Sequence, residues 1–274
     1  MIPKIIHYCW FGGAEKSPFI KQCIATWEKF LPDFEISCWS ERDFDLDSVP
    51  FVKQAYQAKK WAFVADYVRF YALYKEGGLY MDTDVKVLKP FPEAWFEYDF
   101  FSAHECHPGL FYTEGVKKLN DEFFPIDKEQ DIDGFSILSA IMAAKSKHPF
   151  IKDCLEVYHN MTFLNADGSM KKTNEIIIGA ILGKVAIEYG YKYVDEKQIL
   201  RENMLILPSN VLVGNGIHLD DKSFATHLIN GSWTEKKGVD QVLYTIRNNY
   251  PKVFPYVSFL VRGLRKIGSI LNVR

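Results

Sequence analysis

The sequence predicts an α/β fold. Its 274 residues are 48% hydrophobic and 15% aromatic, enough to bury a sizeable core in one large domain or two small ones. Short apolar segments typical of strands alternate with segments typical of helices. The first strand is IPKIIHYCW (2–10), and Ser17 and Pro18 then suit the cap and first residue of a helix running to about Phe30. The segment FEISCW (34–39) alternates as the second strand.

The same reasoning places further elements along the chain. We expect helices at 51–60, 150–161 and 174–189, and a helical segment at 61–76 that either continues the helix at 51–60 or starts a new one. We expect strands at 79–81, 100–104, 205–208 and 211–213, and a strand or helix at 135–144. The run His-Glu-Cys-His at 104–107 superficially suggests a metal site. Adjacent residues of an extended chain point in opposite directions, so a loop with incidental polar residues is the preferred interpretation.

Charge and cysteine content narrow the class of protein. The 33 basic and 35 acidic residues leave a net charge of −2, which argues against a nucleic-acid binder. Five scattered cysteines predict reduced thiols in the cytoplasm. The sequence shows neither a signal peptide nor an apolar run of roughly 20 residues. We therefore expect a soluble protein, at most attached to the inner face of the cell membrane.

The central motif is the stretch 61–88, in which a helix, a glycine turn and a short apolar strand lead to Asp82-Thr83-Asp84. Gly77 and Gly78 are typical of a helix end. The two carboxylates at the strand end can both reach one divalent cation, and their hard oxygen ligands suit Mg²⁺ or Mn²⁺. A polar turn that caps the strand is the alternative.

The helix of this motif carries a charged pair on an otherwise apolar face. Asp66 and Arg69 are three residues apart, so both side chains project to the same side of the helix. Such a pair is either a structural ion pair or part of a polar site. The Asp-X-Asp strand that follows favours the site.

The two ends of the chain contain further residues that could bind a ligand or a membrane. His7 and Trp10 lie at the carboxyl edge of the first strand, where α/β proteins bind ligands, although from these residues alone core packing is the preferred interpretation of both. The tail 250–274 combines apolar residues with Arg262, Arg265, Lys266 and Arg274 and contains no acid. This pattern fits a basic amphipathic helix on an anionic membrane or a C-terminal helix docked on the domain.

Four segments in this order resemble the DXD-containing glycosyltransferases of family thirty-two, especially the bacterial enzymes of capsular and surface polysaccharides. The central segment is the most specific. The segments are IPKIIHYCWFGG (2–13), WAFVADYVRFYALYKEGGLYMDTDV (61–85), SAIMAAKSKHP (139–149) and THLINGSW (226–233).

The resemblance implies a GT-A fold, which is Rossmann-like with a mixed central sheet. It extends over residues 1–234, which we therefore expect to form the catalytic domain, and the composition of residues 235–274 predicts a C-terminal helical, basic amphipathic tail. It also implies a retaining transferase that uses a nucleotide sugar, with Mn²⁺ or Mg²⁺ bridging the diphosphate to Asp82 and Asp84. Asp66 would then bind hydroxyls of the transferred sugar, and Arg69 would support the sugar or phosphate. The catalytic residues implied are Asp66, Arg69 and Asp84.

Further roles follow from the same resemblance. His227 would be a metal ligand or phosphate contact, Ser232 and Trp233 would close over the diphosphate, and His7 and Trp10 would contact the nucleotide. Ser139 stands where the family often has asparagine. Glu175 is an acidic residue near a possible acceptor site, but no nucleophile is identified, so the default hypothesis is front-face attack by the acceptor hydroxyl.

The function expected is transfer of a hexose from a UDP-hexose such as UDP-galactose to a saccharide or lipid-linked oligosaccharide in capsular or surface polysaccharide synthesis. A GDP-mannose-dependent mannosyltransferase and a non-catalytic carbohydrate-binding protein are the alternatives. A phosphatase with an aspartate nucleophile is disfavoured because Lys86 stands where its motif requires threonine or valine.

Overall fold

A computed structural model describes residues 1–172, 176–214, 219–231, 236–254 and 256–261. Its helices are α1 (Pro18–Phe30), α2 (Pro50–Gln57), α3 (Trp61–Glu76), α4 (Pro108–Thr113), α5 (Pro149–His159), α6 (Ile178–Ile187) and α7 (Gly238–Asn249), with 3₁₀ turns at Glu93–Glu97 and Gly115–Lys118. The strands are β1 (Ile5–Cys9), β2 (Glu35–Trp39), β3 (Gly78–Met81), β4 (Val85–Val87), β5 (Phe100–Cys106), β6 (Phe135–Ile137), β7 (Ile141–Ala144), β8 (Gln198–Leu200), β9 (Met204–Leu207), β10 (Leu212–Val213) and β11 (Ala225–His227). None of the helices described is long and apolar enough to cross a membrane.

The central sheet has the strand order β2-β1-β3-β7-β5-β9-β8, and β6 pairs with β5 outside this path. β1 runs parallel to both β2 and β3, whereas β7 is antiparallel to β3 and β5. The predicted mixed central sheet is confirmed, and the architecture is consistent with a GT-A fold.

Helices cover both faces of this sheet. Side chains alternate across a strand: Tyr80 of β3 packs into the apolar cluster that contains Phe70 of α3, while Leu79 and Met81 pack into the cluster that contains Trp27 of α1. All five side chains are at most 1% exposed. The sheet is therefore the middle layer of a sandwich, with α3 on one face and α1 on the other.

A second, small sheet has the order β10-β11-β4. β11 runs antiparallel to β4, with Ala225 opposite Val87 and His227 opposite Val85. This pairing returns a late segment of the chain to the end of the Asp-X-Asp motif.

Several predicted elements are confirmed and others are corrected. The helix at Pro18–Phe30 begins as predicted, with the Ser17 hydroxyl accepting from the Ile20 N–H. The segment 135–144 forms two strands rather than one element, and 104–106 belongs to β5 rather than to a loop. The helix expected from residue 174 begins at Ile178, and residues 173–175 lie outside the described part. Within the predicted tail, α7 packs against α1.

Candidate active site

Two glycines join α3 to β3 in a turn with no space for side chains. Gly77 has φ 71° and Gly78 has φ 112°, a region that glycine adopts at little cost. A Cβ atom on Gly78 would lie 2.6 Å from the Ile5 carbonyl oxygen, and one on Gly77 would lie 2.7 Å from the Ser146 nitrogen. The turn therefore sets the last turns of α3 directly beside the strand that leads to the aspartates.

The Asp-X-Asp motif is itself a tight turn between β3 and β4. The Asp82 N–H donates to the Ala140 carbonyl over 2.9 Å, and the Val85 N–H donates back to the Asp82 carbonyl over 2.9 Å. The Tyr80 hydroxyl donates to Asp82 Oδ1 over 2.8 Å. Strand alternation is interrupted at this turn, so both carboxylates reach the same side.

Arg69 connects the helix to the motif. Its Nη2 atom lies 2.7 Å from Asp66 Oδ1 and 3.5 Å from Asp82 Oδ1. Its Nη1 donates to the Ser139 carbonyl over 2.9 Å, and its guanidinium lies over the Tyr80 ring at 4.8 Å. With 4% exposure, Arg69 is a fixed positive charge held by several partners.

The sequence allows two interpretations of Asp66 and Arg69, either a structural ion pair or part of a polar site. The structure places Asp66 and Arg69 in a pair and in the wall of a cavity. Burial raises the pKa of Asp66 to about 7, although Arg69 acts to lower it.

Asp84 is held by residues of the C-terminal part of the chain. His227 Nε2 lies 3.2 Å from Asp84 Oδ1, and the Asn230 N–H donates to Asp84 Oδ2 over 2.6 Å. Burial alone would raise the pKa of Asp84, but the charge and hydrogen bond of His227, with the Asn230 N–H, lower it to about 2. Burial would lower the pKa of His227, but Asp84 raises it to about 9. Asp84 is therefore held as a carboxylate.

Asp82, Asp84 and His227 could together hold a metal ion, provided that His227 releases its proton on binding, because a metal-ligating imidazole is neutral. One ligand atom from each lies within 4.8 Å of the others. Two carboxylate oxygens with one imidazole nitrogen fit Mn²⁺, which accepts both kinds of ligand, and the carboxylates also suit Mg²⁺. The sequence-predicted metal ligands are thus brought together.

These residues line one cavity of about 510 Å³, within the size range of small-molecule sites. Of the predicted contacts, Trp10 lies in its wall, where its Nε1 donates to the Ala14 carbonyl over 2.6 Å. Other wall residues that the sequence did not identify as functional are Trp61, Tyr80, Glu105, Ile229, Asn230, Tyr244 and Asn248.

Glu105 is the clearest residue that sequence reasoning missed. In β5, His104 is buried against the Tyr191 hydroxyl and the Glu196 carbonyl, so the next residue points to the opposite face, into the cavity. The alternation of side chains that argues against a metal cluster at 104–107 also places Glu105 on the face opposite His104. It could therefore have identified Glu105 as a candidate site residue. Burial raises its pKa, against the lowering effect of His227 and His107.

His7 corrects the sequence-based expectation of a nucleotide contact. Its side chain is completely buried and does not line the cavity. The Trp39 Nε1–H donates to His7 Nδ1 over 3.0 Å, so His7 Nε2 carries the proton and donates to the Gly77 carbonyl over 2.7 Å. Burial lowers its pKa. His7 is a neutral core residue that supports the glycine turn.

The described residues do not include Ser232, Trp233 or Glu175. Ser139 lies in the cavity wall and contacts Arg69 through its backbone carbonyl, an interaction that does not depend on the side chain at this position.

Two fungal proteins are similar to this chain over about a third of its length. An inositol phosphoceramide mannosyltransferase 3 of Schizosaccharomyces pombe is 35% identical over 96 residues, 31% of this chain and 24% of the relative. An initiation-specific alpha-1,6-mannosyltransferase of Candida albicans is 33% identical over 101 residues, 33% of this chain and 26% of the relative. The matches thus span about a quarter of each relative's length.

Two solved structures are similar to parts of this chain. The PaToxG glycosyltransferase has a TM-score of 0.47 at 18% identity, covering 68% of this chain and 69% of its own. A glycosyltransferase involved in the glycosylation of the major capsid of PBCV-1 has a TM-score of 0.41 at 11% identity, covering 82% and 94%.

The match to a protein family falls on the central motif. The family is described as the glycosyltransferase sugar-binding region containing a DXD motif, and its model matches residues 18–101, which include Asp66, Arg69, Asp82 and Asp84. This match supports the prediction of a DXD-containing glycosyltransferase.

Proposed function

We propose that this protein is a retaining, metal-dependent glycosyltransferase that moves a hexose from a nucleotide sugar to a saccharide acceptor. The observation that carries the proposal is the position of Asp82, Asp84 and His227 beside the Asp66–Arg69 pair in one cavity. A carbohydrate-binding protein has no need for this concentration of buried charge, whereas a diphosphate leaving group does.

Each side chain has a role in this proposal. A divalent cation held by Asp82, Asp84 and His227 would supply positive charge to the leaving diphosphate. Arg69, already fixed by its partners, adds a second positive charge on the side of the transferred sugar or phosphate. Asp66 accepts hydrogen bonds from hydroxyls of that sugar and opposes the positive charge that develops on its ring.

We assign retention of the anomeric configuration to attack by the acceptor hydroxyl on the front face of the transferred sugar. The acceptor hydroxyl oxygen forms the new bond to the anomeric carbon on the face from which the diphosphate departs. The bond between that carbon and the phosphate oxygen breaks, and the hydroxyl proton passes to the departing phosphate oxygen.

Two donors are proposed for testing, a UDP-hexose such as UDP-galactose and GDP-mannose. Both fungal relatives are named mannosyltransferases, which favours GDP-mannose more than the sequence alone did. We also propose that the acceptor is a lipid-linked oligosaccharide. The protein would act in capsular or surface polysaccharide synthesis and would be located in the cytoplasm.

The test incubates the purified protein with Mn²⁺ and a panel of UDP- and GDP-sugars and follows release of the nucleoside diphosphate. We expect slow hydrolysis of one donor, loss of that activity in Asp84→Asn and its retention in Asp121→Asn, which changes an exposed aspartate. NMR of a transfer product then gives its anomeric configuration. If no nucleotide sugar is bound or consumed with the metal present, the transferase proposal is wrong. Cleavage of simple phosphomonoesters would instead favour a phosphatase.

A peripheral membrane contact is proposed separately for the end of the chain. Tyr256, Phe259 and Leu260 are 74%, 79% and 64% exposed, and the sequence that follows contains basic residues without an acid. This combination fits insertion of apolar side chains into an anionic lipid surface.

Flotation with vesicles tests the membrane contact. Wild type should float with phosphatidylglycerol vesicles and less with phosphatidylcholine vesicles, and a variant with serine at these three positions should not float. Ile126→Ser removes a side chain that is 69% exposed elsewhere and should leave flotation unchanged. Equal flotation of the triple variant and wild type would refute the membrane proposal.

A further inference from the structure

We propose that Arg247 and Asn248 of α7 are positioning residues for the candidate metal site. They hold the backbone at 228–230 so that it presents an N–H group to Asp84. The effect of this positioning on metal-dependent transfer rests on the proposed function, whereas the contacts of Arg247 and Asn248 do not.

The segment after β11 determines the orientation of Asp84. The two carboxylate oxygens have different partners, with Asn230 N–H at 2.6 Å from Oδ2 and His227 Nε2 at 3.2 Å from Oδ1. The Leu228 N–H also donates to the backbone carbonyl of Asp84 over 3.1 Å. A shift of this segment would therefore rotate or displace the carboxylate.

The backbone of this segment is strained. Ile229 has φ 44°, a left-handed conformation that β-branched residues rarely adopt because the side chain is crowded against the backbone. Its side chain is 40% exposed and lines the cavity, so burial of the side chain does not account for the conformation. Strain of this kind persists only where surrounding contacts enforce it.

Asn248 supplies one of these contacts. Its Nδ2 donates to Asn230 Oδ1 over 3.2 Å, and Asn230 Nδ2 donates back to Asn248 Oδ1 over 3.1 Å. Asn248 is itself fixed, because it accepts from the Ser17 hydroxyl at 2.9 Å and donates to the Tyr244 carbonyl at 2.9 Å. The two asparagines are 8% and 7% exposed, so water does not readily replace these bonds.

Arg247 supplies the other contact. Its Nη2 donates to the Leu228 carbonyl over 2.5 Å, and its Nη1 lies 3.5 Å from the Ile229 carbonyl. The guanidinium lies over the Phe19 ring at 4.6 Å, which fixes it against α1. Arg247 and Asn248 therefore bind the strained segment on both sides of Ile229.

If Arg247 and Asn248 position Asp84, their loss changes metal affinity; if they only support the fold, it does not. Two measurements distinguish these roles. The first is the Mn²⁺ dissociation constant, measured by electron paramagnetic resonance without nucleotide. The second is hydrogen exchange of the peptide that contains the Asn230 amide, measured without metal. Both are made on the full chain, with circular dichroism to show that each variant is folded.

We expect Asn248→Ala and Arg247→Ala to weaken Mn²⁺ binding by about tenfold, the size of effect seen when a group that orients a metal ligand is removed. Exchange around Asn230 should become faster in both variants. Asn249→Ala changes an exposed asparagine on the same helix and should alter neither quantity. Arg247→Lys, which keeps the charge and a donor, should restore part of the Mn²⁺ affinity.

Two outcomes would overturn the inference. Unchanged exchange at Asn230 in folded Asn248→Ala and Arg247→Ala would mean that α7 does not hold the segment. Faster exchange with wild-type Mn²⁺ affinity would mean that the segment does not position Asp84 for a metal. If wild type binds no Mn²⁺, the metal-dependent function fails, and the exchange measurement alone decides whether α7 holds the segment.

Discussion

The Nε2 atom of His227 lies 3.2 Å from Oδ1 of Asp84, and the pairing of β11 with β4 places it there because His227 is opposite Val85. The candidate metal site is therefore shared between two distant parts of the chain. The residues matched by the family model supply the aspartates, and a later strand supplies the imidazole.

Loss of the imidazole should weaken metal binding. We expect His227→Ala to raise the Mn²⁺ dissociation constant by at least about tenfold, since it removes one of three ligands and leaves two carboxylates in proximity. Titration followed by electron paramagnetic resonance measures this. His159→Ala, which changes a histidine bonded to the Tyr67 hydroxyl, is the control. Wild-type affinity in His227→Ala would show that the two aspartates suffice.

Replacement of Arg69 by lysine should destabilise the protein although the charge is kept. Lysine cannot reproduce the planar fork that contacts Asp66, Asp82 and the Ser139 carbonyl, and partners left unpaired in a buried site are costly. We expect a loss on the order of 3 kcal/mol in the free energy of unfolding, measured in guanidinium chloride. Arg201→Lys, at an exposed arginine, should change it little. Equal stability of Arg69→Lys and wild type would contradict the assigned contacts.

Glu105 should make stability depend on pH. Because burial raises its pKa above the ordinary value, the folded state holds the proton more tightly than the unfolded state. The resulting stability is fully present below pH 4.5 and is lost as pH rises through the raised pKa.

The test compares Glu105→Gln with wild type in the presence of a chelator. The variant lacks the penalty of a buried charge, so its melting temperature should match wild type near pH 4 and exceed it at pH 8. We expect a gain on the order of 1 kcal/mol, or about 2–4 °C, in scanning calorimetry. Glu97→Gln, at an exposed glutamate, should show no such trend. A difference that is constant with pH would contradict this interpretation.

The glycine turn should tolerate no side chain. Gly78→Ala combines a positive φ with a Cβ 2.6 Å from the Ile5 carbonyl oxygen, and we expect a loss of more than ~3 kcal/mol in the free energy of unfolding. Gly190 also has a positive φ, 92°, but nothing lies within 4 Å of its added Cβ. Gly190→Ala should therefore lose only about 1 kcal/mol. Equal losses would show that backbone strain, rather than close contact, limits Gly78.

Local patterns in the sequence predicted much of the fold. The cap at Ser17 and the glycines after α3 act within a few residues, so α1 and α3 were located correctly. The three-residue spacing of Asp66 and Arg69 placed both side chains on one face, and the structure pairs them. These features depend on helix geometry alone.

The remaining features depend on contacts between distant parts of the chain. The sequence could not show that Trp39 would occupy one nitrogen of His7 and the Gly77 carbonyl the other. Asn248 gave no local signal either, because its importance comes from a reciprocal bond with Asn230. The extended segments of β6 and β7 could not be told from helix because short apolar runs lack a distinctive period.

The arrangement of α7 has a consequence for regulation. One end of this helix contacts the segment that binds Asp84, and the chain then continues within a few residues to the exposed Tyr256 and Phe259. A surface that binds those aromatic side chains and shifts α7 would change the affinity for the metal. By thermodynamic reciprocity, the metal would change the affinity for that surface by the same factor.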